Sequence, residues 1–327
     1  MRVAINGMGR IGRLLFRRLI EDDLFEIVAV NDIMPLKNLT YLLKYDSVYG
    51  TFNHEIKADE KFLKVDQKEI LACQNADPLQ LPWKDLNVDV VLECSGKFLD
   101  KPNVSKHLTA GAKKVLLSTT GAEDIDLRIF GHNQNGSTGT IDILSPGGCM
   151  TNCSVHVLYI LNSIGIQSVH INILHSYTSR QALVDMPNEQ FRRGRAAAES
   201  IIPVAIDLHK SLNRLLPGLK NKINVFSTRV PVANGAMASF TIQLKDEITA
   251  EQINKMFKTA AQNEYKGILD YTDEPLVSLD IKGNSHSCII DGTQTAVIGN
   301  HARVVAWFDN EYGFTSRLID WLTYWNK

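Results

Sequence analysis

The sequence has no apolar run that approaches the ~20 residues of a membrane span, and it has almost no excess of charge of either sign. Its 35 lysines and arginines nearly balance its 36 aspartates and glutamates, and the formal net charge is -1. Such a balance gives no electrostatic reason to expect nucleic acid or an anionic membrane as a partner. The apolar run at residues 3–5 ends at Asn6 and Gly7, so we do not expect a secretory signal either.

Cysteine is scarce as well. The 327 residues contain five cysteines, an odd number, and no two of them have the CxxC spacing of a zinc site. This argues against the disulfide scaffold of a secreted domain, so we expect reduced thiols, a cytoplasmic protein and no metal site. The length exceeds what one small core needs and predicts two domains.

Glycine is concentrated near the start of the chain. Residues 2–6 predict a buried strand. The next six residues, 7–12, have the pattern GxGxxG, and an apolar stripe that begins at Ile11 predicts a helix after it. Gly7, Gly9 and Gly12 would permit a tight turn and a close approach to a pyrophosphate. A second strand, at residues 26–31, leads to Asp32, 20 residues past Gly12, where a carboxylate binds ribose hydroxyls and favours NAD over NADP. The alternative is a plain βαβ unit with turn-forming glycines.

The alternation of strands and helices continues through the first half. Residues 89–93 and 114–118 predict buried strands, and residues 102–110 predict the helix that connects them. This order indicates a Rossmann-type, doubly wound parallel sheet. Ser95 and Ser118 stand at or just past the carboxyl ends of those strands, where such sheets bind ligands. Each is a candidate cofactor contact or merely a turn residue.

A nucleophile is predicted at residues 145–153, where small residues lead into Cys149. The apolar spacing after Cys149 predicts a helix, so its thiol stands near a helix N-terminus. We expect the helix end to lower the pKa of this thiol and make it reactive near neutral pH. The alternative is a buried cysteine that starts a core helix.

The second half has a different period. Apolar residues alternate with polar ones around residues 169–173 and 240–244, which is typical of an antiparallel sheet packed on helices. We therefore expect an α+β domain with a mainly antiparallel sheet at residues 149–312, after an NAD-binding domain at residues 1–148. A C-terminal helix at residues 313–327 would return to the first domain. The arginines at positions 192, 193 and 195 predict either a solvated basic patch or a phosphate site.

Taken together, the chain resembles the glyceraldehyde-3-phosphate dehydrogenase family over its whole length. The resemblance rests on seven segments, at residues 5–13, 42–47, 149–153, 175–178, 195–203, 229–231 and 307–311. It implies NAD as cofactor, a phosphorylated aldehyde as substrate, inorganic phosphate as second substrate, and a cytoplasmic homotetramer.

The resemblance also implies a role for individual residues. Cys149 would attack the aldehyde to form a thioester, and His175 would act as its base. The implied cofactor contacts are Gly7, Gly9, Arg10, Ile11, Asp32 and Asn310, with Ser95 and Ser118 added from the strand ends. The implied substrate contacts are Thr151, Thr178, Arg193, Arg195 and Arg229. Of these, Thr178 and Arg229 would bind the substrate's phosphate, and either Arg193 or Arg195 would match the family's arginine near the second phosphate site.

The chain departs from the family around the second phosphate. Gly148 and Met150 replace the usual hydroxyl residues beside the nucleophile, and Ile206 and Asp207 replace a Thr-Gly pair. We expect the Asp207 carboxylate to repel an anion there, by about 4 kcal/mol at ~4 Å and an effective dielectric of ~20. Two alternatives therefore stay open. One is an aldose-phosphate dehydrogenase, similar to erythrose-4-phosphate dehydrogenase, whose thioester reacts with water. The other is an NAD-binding homologue without enzymatic activity.

Overall fold

The computed structural model describes residues 1–135 and 141–327. Within these ranges the chain divides into two compact units. The first contains Met1–Gly148 and Thr315–Lys327, and the second contains Cys149–Phe314. Among the described residues, every helix is too short or too polar to cross a bilayer.

The first unit is organised around a nine-stranded sheet with the order β10-β11-β9-β8-β1-β2-β7-β6-β5. All neighbours are parallel except β5–β6 and β6–β7 at one edge. The nine strands, together with the separate β3–β4 pair, are β1 Arg2–Asn6, β2 Glu26–Asn31, β3 Tyr45–Asp46, β4 Gly50–Thr51, β5 Ile56–Ala58, β6 Phe62–Val65, β7 Lys68–Cys73, β8 Val90–Glu93, β9 Lys114–Leu117, β10 Asp126–Leu127 and β11 Ile143–Ser145.

The central strands are buried along nearly their whole length. Every residue of β8 is buried, and so are all but the first of β1 and of β9. Continuous burial is typical of a parallel sheet covered on both faces. Trp83, Val91 and Val115 are fully buried in the core on one side of this sheet. The predicted Rossmann-type fold is confirmed.

In the described part of the first unit, four helices connect these strands: α1 Arg10–Leu19, α2 Leu36–Lys44, α3 Lys101–Val104 and α4 Lys106–Thr109. The single helix expected at residues 102–110 is wrong in detail, because α3 and α4 are separate short helices. Asp100 starts α3 by accepting a hydrogen bond from the backbone N of Asn103 at 2.9 Å. Ser105 interrupts the run, and its Oγ donates to the carbonyl O of Lys101 at 2.7 Å.

The second unit contains a mixed, mostly antiparallel sheet with the order β13-β14-β12-β15-β19-β17-β16, and β18 pairs with β19. Only β12–β14 and β16–β17 are parallel. Its strands are β12 Ile166–Ser176, β13 Ile202–Val204, β14 Ile223–Val230, β15 Ala236–Leu244, β16 Leu269–Thr272, β17 Cys288–Asp291, β18 Ala296–Ile298 and β19 His301–Phe308.

One face of this sheet carries the apolar side chains. Val169, Ile171 and Ile173 of β12 are buried and alternate with more exposed residues, as expected for a sheet covered on one face. The helices of the unit are α5 Cys149–Leu161, α6 Leu208–Leu215 and α7 Ala250–Gln262. The predicted α+β fold with a mainly antiparallel sheet is confirmed.

The last helix, α8 Tyr312–Trp325, has its residues from Thr315 onward in the first unit. Arg18 of α1 donates from Nη1 to Thr315 Oγ1 and to Ser316 Oγ, each at 2.9 Å. The rings of Phe130 and Trp321 meet edge to face with centroids 5.8 Å apart. Polar and aromatic contacts thus attach the end of the chain to the first unit.

Candidate active site

Cys149 is the first residue of α5. The chain reaches it through Gly147, whose φ of +74° is a left-handed conformation that glycine adopts without strain. The next residue, Gly148, leaves open space where a Cβ would stand. The backbone N–H groups of Cys149 and Met150 favour the negative charge on the Cys149 sulfur, as the amino end of a helix does for an anion.

His175 lies beside this thiol, near the end of β12. Its Nε2 is 3.7 Å from Sγ of Cys149, a hydrogen-bonding distance for sulfur. Its Nδ1 is 2.8 Å from the carbonyl O of Ser176. Because a carbonyl only accepts, Nδ1 carries the ring proton, and Nε2 faces the thiol as an unprotonated acceptor. The pair therefore has the geometry in which a histidine takes a proton from a thiol.

Burial dominates the protonation of this pair. It raises the pKa of the Cys149 thiol to about 11, although Arg229 and the two backbone N–H groups act to lower it. It lowers the pKa of His175 to about 3, and the charge of Arg229 also lowers it. The expected lowering of the thiol pKa is therefore wrong, because removing sulfur from water outweighs the helix end. At neutral pH the pair rests as a thiol and a neutral imidazole, and the neutral imidazole can act as a base.

Arg229 of β14 is the register partner of His175. Its Nη1 donates to the carbonyl O of Ser176 at 3.1 Å, the oxygen that also accepts from the imidazole. The side chain is 7% exposed, and its Nε has no acceptor among the described residues. A buried guanidinium in this place stabilises a thiolate and offers a donor to an anionic ligand.

The turn after β12 brings Thr178 next to a second arginine. Oε1 of Gln181 accepts hydrogen bonds from the backbone N and Oγ1 of Thr178, at 2.8 and 3.0 Å. The backbone N of Ala182 donates to the carbonyl O of Arg193 at 3.0 Å. Arg193 donates from Nε to Oε1 of Gln190 at 2.5 Å, while its buried Nη1 lacks an acceptor in the described part of the chain.

Two residues expected near a phosphate point elsewhere. Arg195 donates from Nε to Oδ2 of Asp185 at 2.8 Å, in an exposed ion pair. The Asp207 side chain is 77% exposed and lies 3.0 Å from Nζ of Lys210. The expected repulsion of an anion by Asp207 is not supported, because water and Lys210 compensate this charge. Thr151, the remaining substrate candidate of α5, is buried within that helix.

Asn310 follows β19 and has a fixed amide orientation. Its Oδ1 accepts hydrogen bonds from Oγ of Ser176 at 3.1 Å and from the backbone N of Gly235 at 2.9 Å. Two donors to one oxygen identify the other end of the amide as Nδ2, a donor that can hold a carbonyl group. No local sequence pattern indicates this support from Ser176 and Gly235, because it depends on pairing between distant strands.

The glycine-rich turn of the first unit shows why each glycine is needed. Gly7 has φ +95°, and a Cβ there would stand 2.3 Å from the backbone N of Ser95. A Cβ at Gly12 would stand 2.0 Å from the carbonyl O of Gly7. Gly9 caps α1 without a side-chain hydrogen bond, and the first turn of α1 has no acidic residue. This helix end can therefore accept a pyrophosphate.

Asp32 lies directly after β2, next to that turn. Its Oδ2 accepts from the backbone N of Met8 at 2.6 Å, and its Oδ1 accepts from that of Met34 at 2.9 Å. The carboxylate is thus held in place with lone pairs left for ribose hydroxyls. Arg10 and Ile11 begin α1, and the Arg10 guanidinium pairs with Asp46. The glycines, the helix end and Asp32 together fit a dinucleotide.

A buried polar network lies behind the same turn, and sequence reasoning missed it. Glu93 accepts from Nδ2 of Asn6 at 2.5 Å, and from the backbone N and Oγ of Ser95 at 2.8 and 2.5 Å. Nε2 of His107 is 2.9 Å from Glu93, and Nδ1 of His107 accepts from Nε1 of Trp83 at 3.0 Å. The Ser95 hydroxyl thus orders its own loop.

The remaining candidate from the strand ends, Ser118, lies just past β9. Its side chain forms a hydrogen bond with the thiol of Cys94, and its backbone N donates to the carbonyl O of Glu93 at 2.9 Å. Within residues 1–135 and 141–327 there is no group of three or more His, Cys, Asp or Glu side chains placed to hold a metal ion.

Comparisons with known proteins match both halves of the chain. Residues 1–101 match the family described as glyceraldehyde 3-phosphate dehydrogenase, NAD binding domain. Residues 148–310 match glyceraldehyde 3-phosphate dehydrogenase, C-terminal domain.

Single relatives match over nearly the full length. Glyceraldehyde-3-phosphate dehydrogenase 1 of Bacillus cereus is 40% identical over 99% of this chain and 98% of its own length. Glyceraldehyde-3-phosphate dehydrogenase 2 of Bacillus subtilis (strain 168) is 40% identical over 98% of this chain and 95% of its own length. The glyceraldehyde-3-phosphate dehydrogenase of Borreliella burgdorferi is 41% identical over 98% of both chains.

Proposed function

The chain belongs to the glyceraldehyde-3-phosphate dehydrogenase family, and on that premise we propose that it oxidises glyceraldehyde 3-phosphate with NAD through a thioester on Cys149. The observation that carries this proposal is the pairing of the Cys149 thiol with the unprotonated Nε2 of His175, at 3.7 Å. This pair stands in a chain whose first unit has an NAD-binding domain.

His175 moves the protons in this reaction. Its Nε2 takes the thiol proton as the Cys149 sulfur attacks the aldehyde carbon, and returns it to the oxygen of the resulting hemithioacetal. NAD, when bound, supplies the acceptor for the hydride that leaves the same carbon. As the thioester carbonyl forms, Nε2 takes the hydroxyl proton and releases it to water. We assign Asn310 to hold the cofactor's carboxamide, and Asp32 and the turn at Gly7 and Gly9 to hold its ribose and pyrophosphate.

We propose that Thr178 and Arg229 bind the substrate's phosphate together with Arg193, which the resemblance placed near the second phosphate and whose charge acts on Arg229. Arg229 and Arg193 each have a buried donor without an acceptor in the described residues, and a phosphate would supply several acceptor oxygens. Arg195 is less suited, because its guanidinium pairs with Asp185 at the surface. These contacts would hold the phosphate end of the substrate, and the Cys149–His175 pair would act on its aldehyde carbon.

The thioester is released by inorganic phosphate in the main proposal. The phosphate oxygen bonds to the acyl carbon, the carbon–sulfur bond breaks, and the phosphate's proton goes to the sulfur, which gives an acyl phosphate and the free thiol. The alternative, release by water, is favoured by Gly148 and Met150, which place no hydroxyl beside Cys149.

One assay separates these reactions. NADH formation is followed with glyceraldehyde 3-phosphate at pH 8, with and without inorganic phosphate, and the acyl product is identified. A phosphate-dependent steady rate and an acyl phosphate product support the main proposal. Steady turnover that does not change without phosphate supports water as acceptor. No NADH in either assay, from protein that binds NAD, contradicts the proposed activity.

We also propose that the protein is a cytoplasmic homotetramer. The five cysteines are all free thiols, as expected in a reducing compartment. The segment 183–201 exposes several large apolar side chains, which a subunit interface would cover: Leu183, Val184, Met186, Phe191 and Ile201. Light scattering after gel filtration tests the assembly, and a monomer at micromolar concentration would contradict it.

A further inference from the structure

Three arginines of the second unit converge around the turn after β12, and we call Arg180, Arg193 and Arg229 the arginine cluster. The backbone N of Arg180 donates to Oγ1 of Thr178 at 3.3 Å. Two residues further on, the backbone N of Ala182 donates to the carbonyl O of Arg193. Hydrogen bonds between backbone segments therefore bring the first two arginines together next to the turn.

Arg229 joins the cluster from β14. It is the register partner of His175 and donates to the carbonyl O of Ser176, two residues before Thr178. The three arginines thus come from the turn, from the segment that pairs with it and from the neighbouring strand.

The cluster contains buried hydrogen-bond donors that have no acceptor among the described residues. Nε of Arg229, Nη1 of Arg193 and Nε2 of Gln181 are all buried, and none has an acceptor among the described residues. Leaving three buried donors unsatisfied is costly, at about 1–3 kcal/mol each. A ligand with several oxygen acceptors in one place would satisfy them together.

The positive charge of the cluster is also uncompensated. Burial lowers the pKa of Arg229 to about 10, and Arg193 and Arg180 both act in the same direction. Burial lowers the pKa of Arg193 too, with Arg180 as the second cause. The Cys149 thiol acts on Arg229 in the opposite direction. No carboxylate within residues 1–135 and 141–327 forms an ion pair with any of the three guanidinium groups. The guanidinium of Arg180 is exposed and forms no hydrogen bond or ion pair with the described residues.

We propose that Arg180 is a specificity-determining residue of the substrate-phosphate site, where its guanidinium binds the solvent-facing side of the phosphate and selects doubly charged substrates. The inference deepens the proposed function and rests on it, because it assigns the phosphate of the aldehyde to this cluster. The ligand class is a phosphate dianion carried on an aldehyde.

Charge balance explains why a third guanidinium matters. Two arginines neutralise a phosphate dianion, so the charge of Arg229 no longer favours the thiolate that forms when His175 takes the Cys149 proton. With Arg180 the three guanidinium groups exceed the charge of the dianion by one, and this excess positive charge favours the thiolate. Water screens Arg180, because its side chain is exposed, so its contribution is smaller than that of the buried Arg229.

The test compares Arg180→Gln with Arg180→Lys and with Arg192→Gln. The last variant removes the same charge from an exposed neighbour of Arg193. For each protein, kcat/KM is measured with glyceraldehyde 3-phosphate and with unphosphorylated glyceraldehyde. We expect Arg180→Gln to lower kcat/KM for the phosphorylated aldehyde about tenfold, mainly through KM, and to leave that for glyceraldehyde unchanged. Arg180→Lys should keep part of the preference for the phosphorylated aldehyde over glyceraldehyde. Arg192→Gln should keep all of this preference.

Equal losses with both aldehydes, or no loss with either, would overturn the proposal. Binding of inorganic phosphate to the NAD-loaded protein, measured by calorimetry, gives a readout without turnover. Weaker phosphate binding in Arg180→Gln than in Arg192→Gln supports the proposal even if the wild type oxidises no phosphorylated aldehyde, in which case only the proposed activity fails. Equal phosphate binding in the two variants, or none in the wild type, counts against Arg180 whatever the activity.

Discussion

Replacing His175 by asparagine tests the centre of the proposed chemistry. The amide Nδ2 of asparagine can stand in for Nδ1–H of the imidazole and donate to the carbonyl O of Ser176, which accepts from His175 at 2.8 Å. The acceptor at Nε2, 3.7 Å from the Cys149 sulfur, is lost. The variant therefore removes the base and retains the hydrogen bond that orients it.

The expected loss of activity follows from the thiol's protonation. Burial raises the pKa of Cys149 to about 11, so without a base the thiolate is rare at pH 7. Loss of a general base costs about 10²- to 10⁴-fold, or roughly 3–5 kcal/mol in the barrier. The assay is NADH formation, accompanied by the rate at which iodoacetamide alkylates Cys149. We expect both rates to fall, while the dissociation constant for NAD stays within about twofold.

The same substitution changes how stability depends on pH. The folded-state pKa of His175 is lowered to about 3, from an ordinary value of 6.5. Below pH 6.5 the imidazole of His175 therefore binds a proton in the unfolded chain but not in the folded protein. The free energy of unfolding falls as a result. The slope is about 1.4 kcal/mol per pH unit, so roughly 2 kcal/mol of stability is lost through this group between pH 7 and pH 5. The asparagine variant lacks this loss.

Urea unfolding of both proteins at pH 7 and pH 5 measures that difference, and other titrating groups cancel in the comparison. The reasoning would be refuted by a variant that keeps kcat within threefold of the wild type. It would be equally refuted if the two proteins lost the same stability on acidification, since His175 would then titrate in the folded state as it does in water.

Four further substitutions address the predicted contacts. Arg193→Gln should raise KM for glyceraldehyde 3-phosphate at least tenfold, whereas Arg195→Gln, at an exposed ion pair, should change it less than twofold; the reverse order would contradict the assignment. Gly148→Ser has room for its side chain and restores a hydroxyl, so KM for inorganic phosphate should fall several-fold; an unchanged KM would mean that position 148 does not contact this phosphate. Asp32→Ala should weaken NAD binding about tenfold and bring NADP binding closer to it, as measured by titrating protein fluorescence; unaltered binding of both would remove Asp32 from the ribose site.

Local sequence patterns were sufficient for much of the fold. The buried runs of β1 and β8 and the amphipathic spacing of α1 are short-range signals, and the structure contains each element within one or two residues of its predicted bounds. The two helices α3 and α4 were predicted as one. The interruption is a single residue, Ser105, which keeps helical φ and ψ and whose backbone N still donates to the carbonyl O of Lys101 at 2.9 Å. So small a change has no periodic signature in the sequence.

The candidate site was harder to anticipate, because its geometry comes from pairing between distant segments. His175 and Arg229 are 54 positions apart, yet β12 and β14 place them in register. The protonation of the site was predicted with the wrong sign, since a helix terminus can be read from sequence but the burial of a thiol cannot. The choice between Arg193 and Arg195 likewise depended on Asp185, which pairs with only one of them.

The carbonyl O of Ser176 connects these features. It accepts from Nδ1 of His175 and from Nη1 of Arg229, so one backbone oxygen orients both the base and the buried cation. A bound phosphate would draw on the charge of Arg229 and weaken its support for the Cys149 thiolate. In the proposed mechanism, direct proton transfer to His175 forms the thiolate only when an aldehyde is present to react with it, and Arg180 would keep the surrounding potential positive. A buried thiol with a high pKa is therefore compatible with the proposed arginine-rich phosphate site, because substrate binding and thiol activation would not depend on the same single charge.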